Sequence, residues 1–176
     1  MSETHHADYS NYSENISKEE MLTNVVESYS ALAYGIDNWV ANLSNCASLL
    51  WHGYHSAKVK VNWTGFYVVD PKDSTQLILA PFQGKVACQQ IKIGSGVCGA
   101  AASTLKTQLV PNVNKFPGHI ACDGETQSEI VVPILDKAGK LVGVLDLDCL
   151  TLEGFDELDQ KYLEDLCKSI GETCSW

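Results

Sequence analysis

Three of the chain's seven cysteines, Cys88, Cys98 and Cys122, fall outside the apolar periodicity that would make them plain core residues. Their spacings, C-x9-C and C-x23-C, lack the tight ligand pair of a structural zinc knuckle. A mixed Cys/His metal site through Cys122 and His119 is therefore the weaker reading. Thiol redox chemistry asks less of the spacing, because a nucleophilic thiolate and a resolving thiol need only meet in space. Cys98 follows Gly94-Ser95-Gly96-Val97. Glycines there let the backbone turn into a helix, whose unpaired N–H groups and dipole would lower the pKa of a thiol in its first turn. Cys88 is expected on a strand, where simple burial is the alternative. Cys122 is expected in a polar loop, where burial is less natural.

A second constellation is acidic. In Val142-Gly143-Val144-Leu145-Asp146-Leu147-Asp148 the period of two puts Asp146 and Asp148 on one strand face, about 6–7 Å apart. Glu129 begins the partner strand and can join them. Carboxylates among apolar neighbours are costly unless they meet cations, protons or hydrogen-bond donors. The bland alternative is a solvated face, but Val142 and Val144 share that face and make it half-buried. Trp63 and Tyr67, with Gly65 between them, also point to one side of a strand. Gly65 leaves room for something other than a side chain. The two rings are either core aromatics or a pocket wall suited to sulfur, which packs well against aromatic edges. Gly94 to Gly99 also matches the dinucleotide fingerprint G-x-G-x-x-G. That reading is weak, because no βαβ unit opens the chain and Asp123 lies in a Pro/Gly loop rather than at a strand end.

These residues need elements to position them. Residues 1–17 are polar and without periodicity, and read as a mobile arm. Met21, Val25, Tyr29 and Leu32 mark one face of a helix over 18–34, with Ser17 and Glu20 placed as a capping box. Trp39, Leu43, Cys46, Leu50 and Tyr54 mark a second helix, with Cys46 in its core stripe. Strands follow over 59–69, 77–82 and 86–93, then a short helix over 100–104 and a brief strand at 108–110. The segment 111–128 reads as a long loop, of the kind that often forms a lid. A hairpin pairs 129–135 with 140–149 around Asp136-Lys137-Ala138-Gly139. The last helix starts near Phe155 and turns Leu158, Tyr162, Leu166 and Ile170 inward, with Cys167 at the core or its flank. Strands in clusters with helices before and after give an α+β domain, residues 18–176, with an antiparallel-rich sheet.

Whole-chain totals remove several functions. The 176 residues suit one domain. A net charge of −10, with 12 basic residues scattered among 22 acidic ones, argues against nucleic acid. No apolar run is long enough to span a bilayer, and the start lacks a secretory pattern, so the expected home is the cytoplasm, with nuclear entry left open. An odd cysteine count there rules out a complete intrachain disulfide framework.

Six ordered strings carry a resemblance: Asn62-Trp63-Thr64-Gly65-Phe66-Tyr67, Gly84-Lys85-Val86-Ala87-Cys88, Gly94-Ser95-Gly96-Val97-Cys98-Gly99, Gly118-His119-Ile120-Ala121-Cys122-Asp123, Ser128-Glu129-Ile130-Val131-Val132-Pro133 and Gly143-Val144-Leu145-Asp146-Leu147-Asp148. Together they resemble the GAF-domain free methionine-(R)-sulfoxide reductases, most closely the fungal type, over nearly the whole chain from about residue 20. The resemblance implies a GAF fold with an antiparallel sheet, helices on one face and a closed pocket on the other. It implies free methionine-(R)-sulfoxide as substrate, no cofactor or metal, thioredoxin as reductant, and a homodimer. It assigns Cys88, Cys98 and Cys122 to catalysis, with Cys122 attacking and Cys88 or Cys98 resolving. The helix-start argument favours Cys98 as attacker instead. Glu129, Asp146 and Asp148 would bind substrate, and Trp63 and Tyr67 would line the pocket. Clustered carboxylates raise one another's pKa, so one of the three could carry the proton that the sulfoxide oxygen takes. A non-catalytic GAF module that senses a small ligand is the alternative.

Overall fold

A computed structural model describes residues 9–13, 15–119 and 123–176. Six antiparallel strands form one sheet in the order β3-β2-β1-β6-β5-β4. The strands are β1 (Val61–Asp70), β2 (Asp73–Gly84), β3 (Gln90–Lys92), β4 (Gln108–Val110), β5 (Ser128–Leu135) and β6 (Leu141–Cys149). Four helices complete the fold: α1 (Lys18–Leu32), α2 (Trp39–Ser56), α3 (Gly96–Thr104) and α4 (Glu157–Thr173). This is the expected α+β arrangement. Among the described residues no helix is long and apolar enough to cross a membrane.

Strand parity divides the molecule in two. One sheet face carries Phe66, Val68, Ile130, Val132, Ile134, Leu145 and Leu147, which pack with α1, α2 and α4 into the larger core. The other carries Trp63, Tyr67, Val131 and Val144, which pack with α3 and with Leu77, Ile91 and Val110. Helix ends follow local chemistry. The Ser17 hydroxyl accepts from the Glu20 N–H at 3.2 Å to cap α1, and Asp156 and Asp159 form a reciprocal capping box at α4. Tyr12 donates its hydroxyl to the Leu49 carbonyl at 3.0 Å, and Ile16 is buried against the same core.

Three expectations change. The strand expected over 86–93 shrinks to Gln90–Lys92, paired with Gln76 to Ile78. Gly84, at φ +125, ends β2 against the Asn62 carbonyl, and Val86 is 91% exposed, so 85–89 leaves the sheet. Cys88 therefore sits in a loop, not on a strand. α3 begins at Gly96, four residues before the expected start, which places Cys98 third in the helix. In α4 the buried stripe runs through Asp159, Leu163, Leu166, Cys167 and Ile170, while Leu158 and Tyr162 are only half-buried.

Candidate active site

The smaller face of the sheet becomes a pocket because three strands bring polar residues to the same patch. Trp63 lies opposite Asp148 and Gly65 opposite Asp146 on the β1–β6 pair, and Glu129 lies opposite Asp148 on the β5–β6 pair. Alternation then turns Trp63, Tyr67, Glu129, Asp146 and Asp148 to one side. All five line the pocket, with Cys98 and Val97 of α3, Lys85 to Ala87 of the β2–β3 loop, and His119, Asp123 and Thr126 of the loop before β5. Eight site residues were expected from sequence, and the structure gathers Trp63, Tyr67, Cys98, Glu129, Asp146 and Asp148 here. Cys122 lies outside the described residues. Cys88 is disulfide-bonded, whereas Cys46, Cys98, Cys149, Cys167 and Cys174 hold free, buried thiols.

Aromatic stacking builds the wall. Trp63 stacks on Tyr67 at 5.8 Å and on Phe82 at 5.2 Å between ring centroids. Gly65 makes that stack possible: a Cβ there would stand 2.3 Å from Phe82 Cβ and 2.7 Å from Trp63 Cη2. The space it leaves is filled by these two side chains, not by a ligand. Each ring's polar tip is tied to the β2–β3 loop. The Trp63 indole N–H donates to the Lys85 carbonyl, and the Tyr67 hydroxyl donates to the Cys88 carbonyl, both at 3.1 Å. The opposite loop is held by Asn62, whose amide donates to Asp123 Oδ2 at 3.2 Å and to Thr126 Oγ1 at 3.0 Å. Lys85 bonds Glu125 and lies 3.9 Å from Asp123, joining the two loops.

The floor is acidic, and no cation pairs with it among the described residues. Glu129 and Asp146 are each 7% exposed. The sequence contains no arginine, and no lysine ion pair reaches Glu129, Asp146 or Asp148 among the described residues. His119 Nε2 lies 3.8 Å from Glu129 Oε2, but burial lowers the imidazole's pKa and keeps it neutral at pH 7. The carboxyl groups respond by holding protons. Burial pushes Asp146 up to about 7, although the Cys98 thiol and Glu129 beside it oppose that rise. Burial first, and the neighbouring Asp146 second, push Glu129 and Asp148 far above the usual carboxylate range.

Cys98 reverses the expectation from its helix start. Burial pushes its thiol well up, and Asp146 and Glu129 push it further. A helix N-terminus favours a thiolate by roughly a kcal/mol or less, too little against desolvation and buried carboxylates. The Cys98 thiol thus sits on the floor with its pKa raised, not lowered, by its surroundings. Sequence reasoning passed over Asn62, Lys85 and Thr126. Their only signal is polar type at strand ends and in loops, and their roles depend on which two loops meet.

Residues 48–173 match the GAF domain family. The chain is 59% identical to the free methionine-R-sulfoxide reductase of Saccharomyces cerevisiae over 170 residues, 97% of this chain and 94% of that one. It superposes on a solved GAF-domain structure with TM-score 0.96 at 56% identity, covering 100% of both chains. A free methionine-R-sulfoxide reductase from Neisseria meningitidis, solved in complex with its substrate, superposes with TM-score 0.82 at 39% identity over 92% of each chain. A wall of stacked aromatics, a floor of proton-holding carboxyls and the near full-length match lead to one conclusion: the chain belongs to the GAF-domain free methionine-R-sulfoxide reductase family.

Proposed function

We propose that the chain reduces free methionine-(R)-sulfoxide to methionine with its own thiols. The observation that carries this reading is the trio of buried Glu129 and Asp146 with half-buried Asp148, which no lysine among the described residues pairs with beneath an aromatic wall. A free amino acid brings an ammonium group to such a floor, whereas a residue inside a peptide has none. The trio then has two tasks. Its ionised members hold the ammonium, and a protonated one donates to the sulfoxide oxygen. Asp146, whose pKa of about 7 lies at the working pH, suits the second task, and the bound ammonium itself draws Glu129 and Asp148 into their ionised forms. Trp63 and Tyr67 pack the thioether end.

The attacking thiolate is assigned to Cys122, and the raised pKa of Cys98 supports that choice. Cys122 sulfur bonds to the sulfoxide sulfur as its oxygen is protonated. The protonated oxygen leaves the methionine sulfur as water; a water then attacks the Cys122 sulfur and breaks the new S–S bond, so methionine departs and Cys122 is left as the sulfenic acid. A second thiol, Cys88 or Cys98, displaces hydroxide from that sulfur; water leaves and a disulfide remains. A thioredoxin-type dithiol then reduces the disulfide and is itself oxidised. Cys88, which already forms a disulfide, is the better placed resolving residue. The same reading takes residues 18–176 as one domain, residues 1–17 as an arm, a homodimer as the assembly and the cytoplasm as the compartment.

A coupled assay with thioredoxin, thioredoxin reductase and NADPH tests the substrate. Free R epimer should be turned over, while the free S epimer and a peptide-borne sulfoxide should not. Equal rates on the peptide would end the ammonium argument. Binding of the sulfoxide with no turnover would favour a sensor.

A further inference from the structure

The pocket floor has the donor set of a zinc site. Ligand atoms of Cys98, Glu129 and Asp146 all lie within 4.8 Å of one another, and all three residues are buried. They come from α3, β5 and β6, so the rigid sheet and a packed helix fix their spacing. A second observation points to a ligand. Asp146 Oδ1 is buried with no hydrogen-bond partner among the described residues, on a side chain that lines the pocket and is 7% exposed. Such an atom costs about 1–3 kcal/mol unless something fills the position.

We infer that Cys98, Glu129 and Asp146 bind one borderline-soft divalent cation, zinc, with the fourth coordination position open to the pocket. Tetrahedral zinc, with bonds of about 2.0–2.3 Å to oxygen and sulfur, sets ligand atoms about 3.5 Å apart. Atoms already within 4.8 Å of one another need only side-chain rotation to reach that value. A sulfur ligand selects zinc over magnesium or calcium, which take oxygen. This set is distinct from the Cys122 and His119 pair weighed from sequence. It also shares Glu129 and Asp146 with the proposed ammonium site. Zinc and substrate therefore exclude each other, and the metal acts as an inhibitor. That consequence rests on the proposed function, but the metal site itself does not.

The test uses the full chain with its Cys88 disulfide intact, so that Cys98 is the thiol presented to the metal. Cobalt is the spectroscopic probe, followed by zinc in calorimetry. One cobalt per chain should bind with a thiolate-to-metal charge-transfer band, and one equivalent of zinc should displace it. Cys98→Ser should remove the band, and both Cys98→Ser and Asp146→Asn should weaken zinc at least about tenfold. No charge-transfer band, or zinc affinity unchanged in both variants, overturns the site. Free methionine-(R)-sulfoxide should release the cobalt. Cobalt that binds as described and stays bound supports the metal site and counts instead against the substrate reading.

Discussion

A carboxyl buried without a cation holds its proton, and at Asp146 this couples function to stability. In the unfolded chain Asp146 ionises near the ordinary value of about 3.9, whereas in the folded protein it ionises at about 7. Between those values the folded state binds the extra proton, so stability falls as pH rises through that window and stays reduced above it. Asp146→Asn is expected to raise unfolding stability by about 1–4 kcal/mol at pH 8 and by little at pH 4, read from urea titrations at both. The same change should lower kcat/KM by about 10²–10⁴ and flatten the fall in kcat/KM above about pH 7. An unchanged alkaline limb would remove Asp146 as the proton donor. At the cysteines, dimedone trapping after one turnover of the Cys88→Ser protein should label Cys122. A label on Cys98 instead would reverse the assignment and show that the helix start outweighs burial there.

Elements place these residues with little tolerance, and glycines mark the tight points. A Cβ on Gly99 would lie 2.6 Å from the Lys92 carbonyl oxygen, where α3 meets β3 beside Cys98. A Cβ on Gly171 would lie 1.9 Å from the Leu135 carbonyl oxygen, where α4 packs on β5 on the opposite sheet face. Both Ala substitutions should cost about 1–3 kcal/mol or more in thermal or urea unfolding. Only Gly99→Ala should also raise KM at a temperature where both variants stay folded. A KM shift of equal size in Gly171→Ala would mean that the pocket senses the whole sheet rather than α3. What was legible in the sequence follows the same division. Alternation along 142–148 put Asp146 and Asp148 together, and strand parity joined Trp63 to Tyr67, because period two is a local property of the backbone. The extent of β3 was not legible, since Gly84 ends β2 and the chain leaves the sheet through Lys85 to Ala87, which line the pocket, before β3 starts at Gln90. The pKa of Cys98 was also hidden. Its first-turn position is local, but Glu129 and Asp146 reach it from strands more than thirty and nearly fifty residues along.

Across the whole molecule the sheet separates a structural face from a chemical one. The structural face is stapled by a polar link as well as by its core: Lys18 of α1 bonds Asp159 of α4 at 2.7 Å, and the Tyr54 hydroxyl of α2 donates to the same carboxylate at 2.7 Å. Asp159 is fully buried, so its charge depends on these partners. Lys18→Met should destabilise the fold by about 1–3 kcal/mol in urea titrations and leave KM unchanged. A changed KM would show that the helix layer reaches the pocket. On the chemical face no lysine among the described residues pairs with Glu129, Asp146 or Asp148, a local cost that a substrate ammonium would relieve. The most direct test of this account is a single turnover without any reductase system. Fully reduced protein mixed with one equivalent of free methionine-(R)-sulfoxide should yield about one equivalent of methionine while two thiols per chain disappear. No methionine, with all thiols still titratable, would contradict the account.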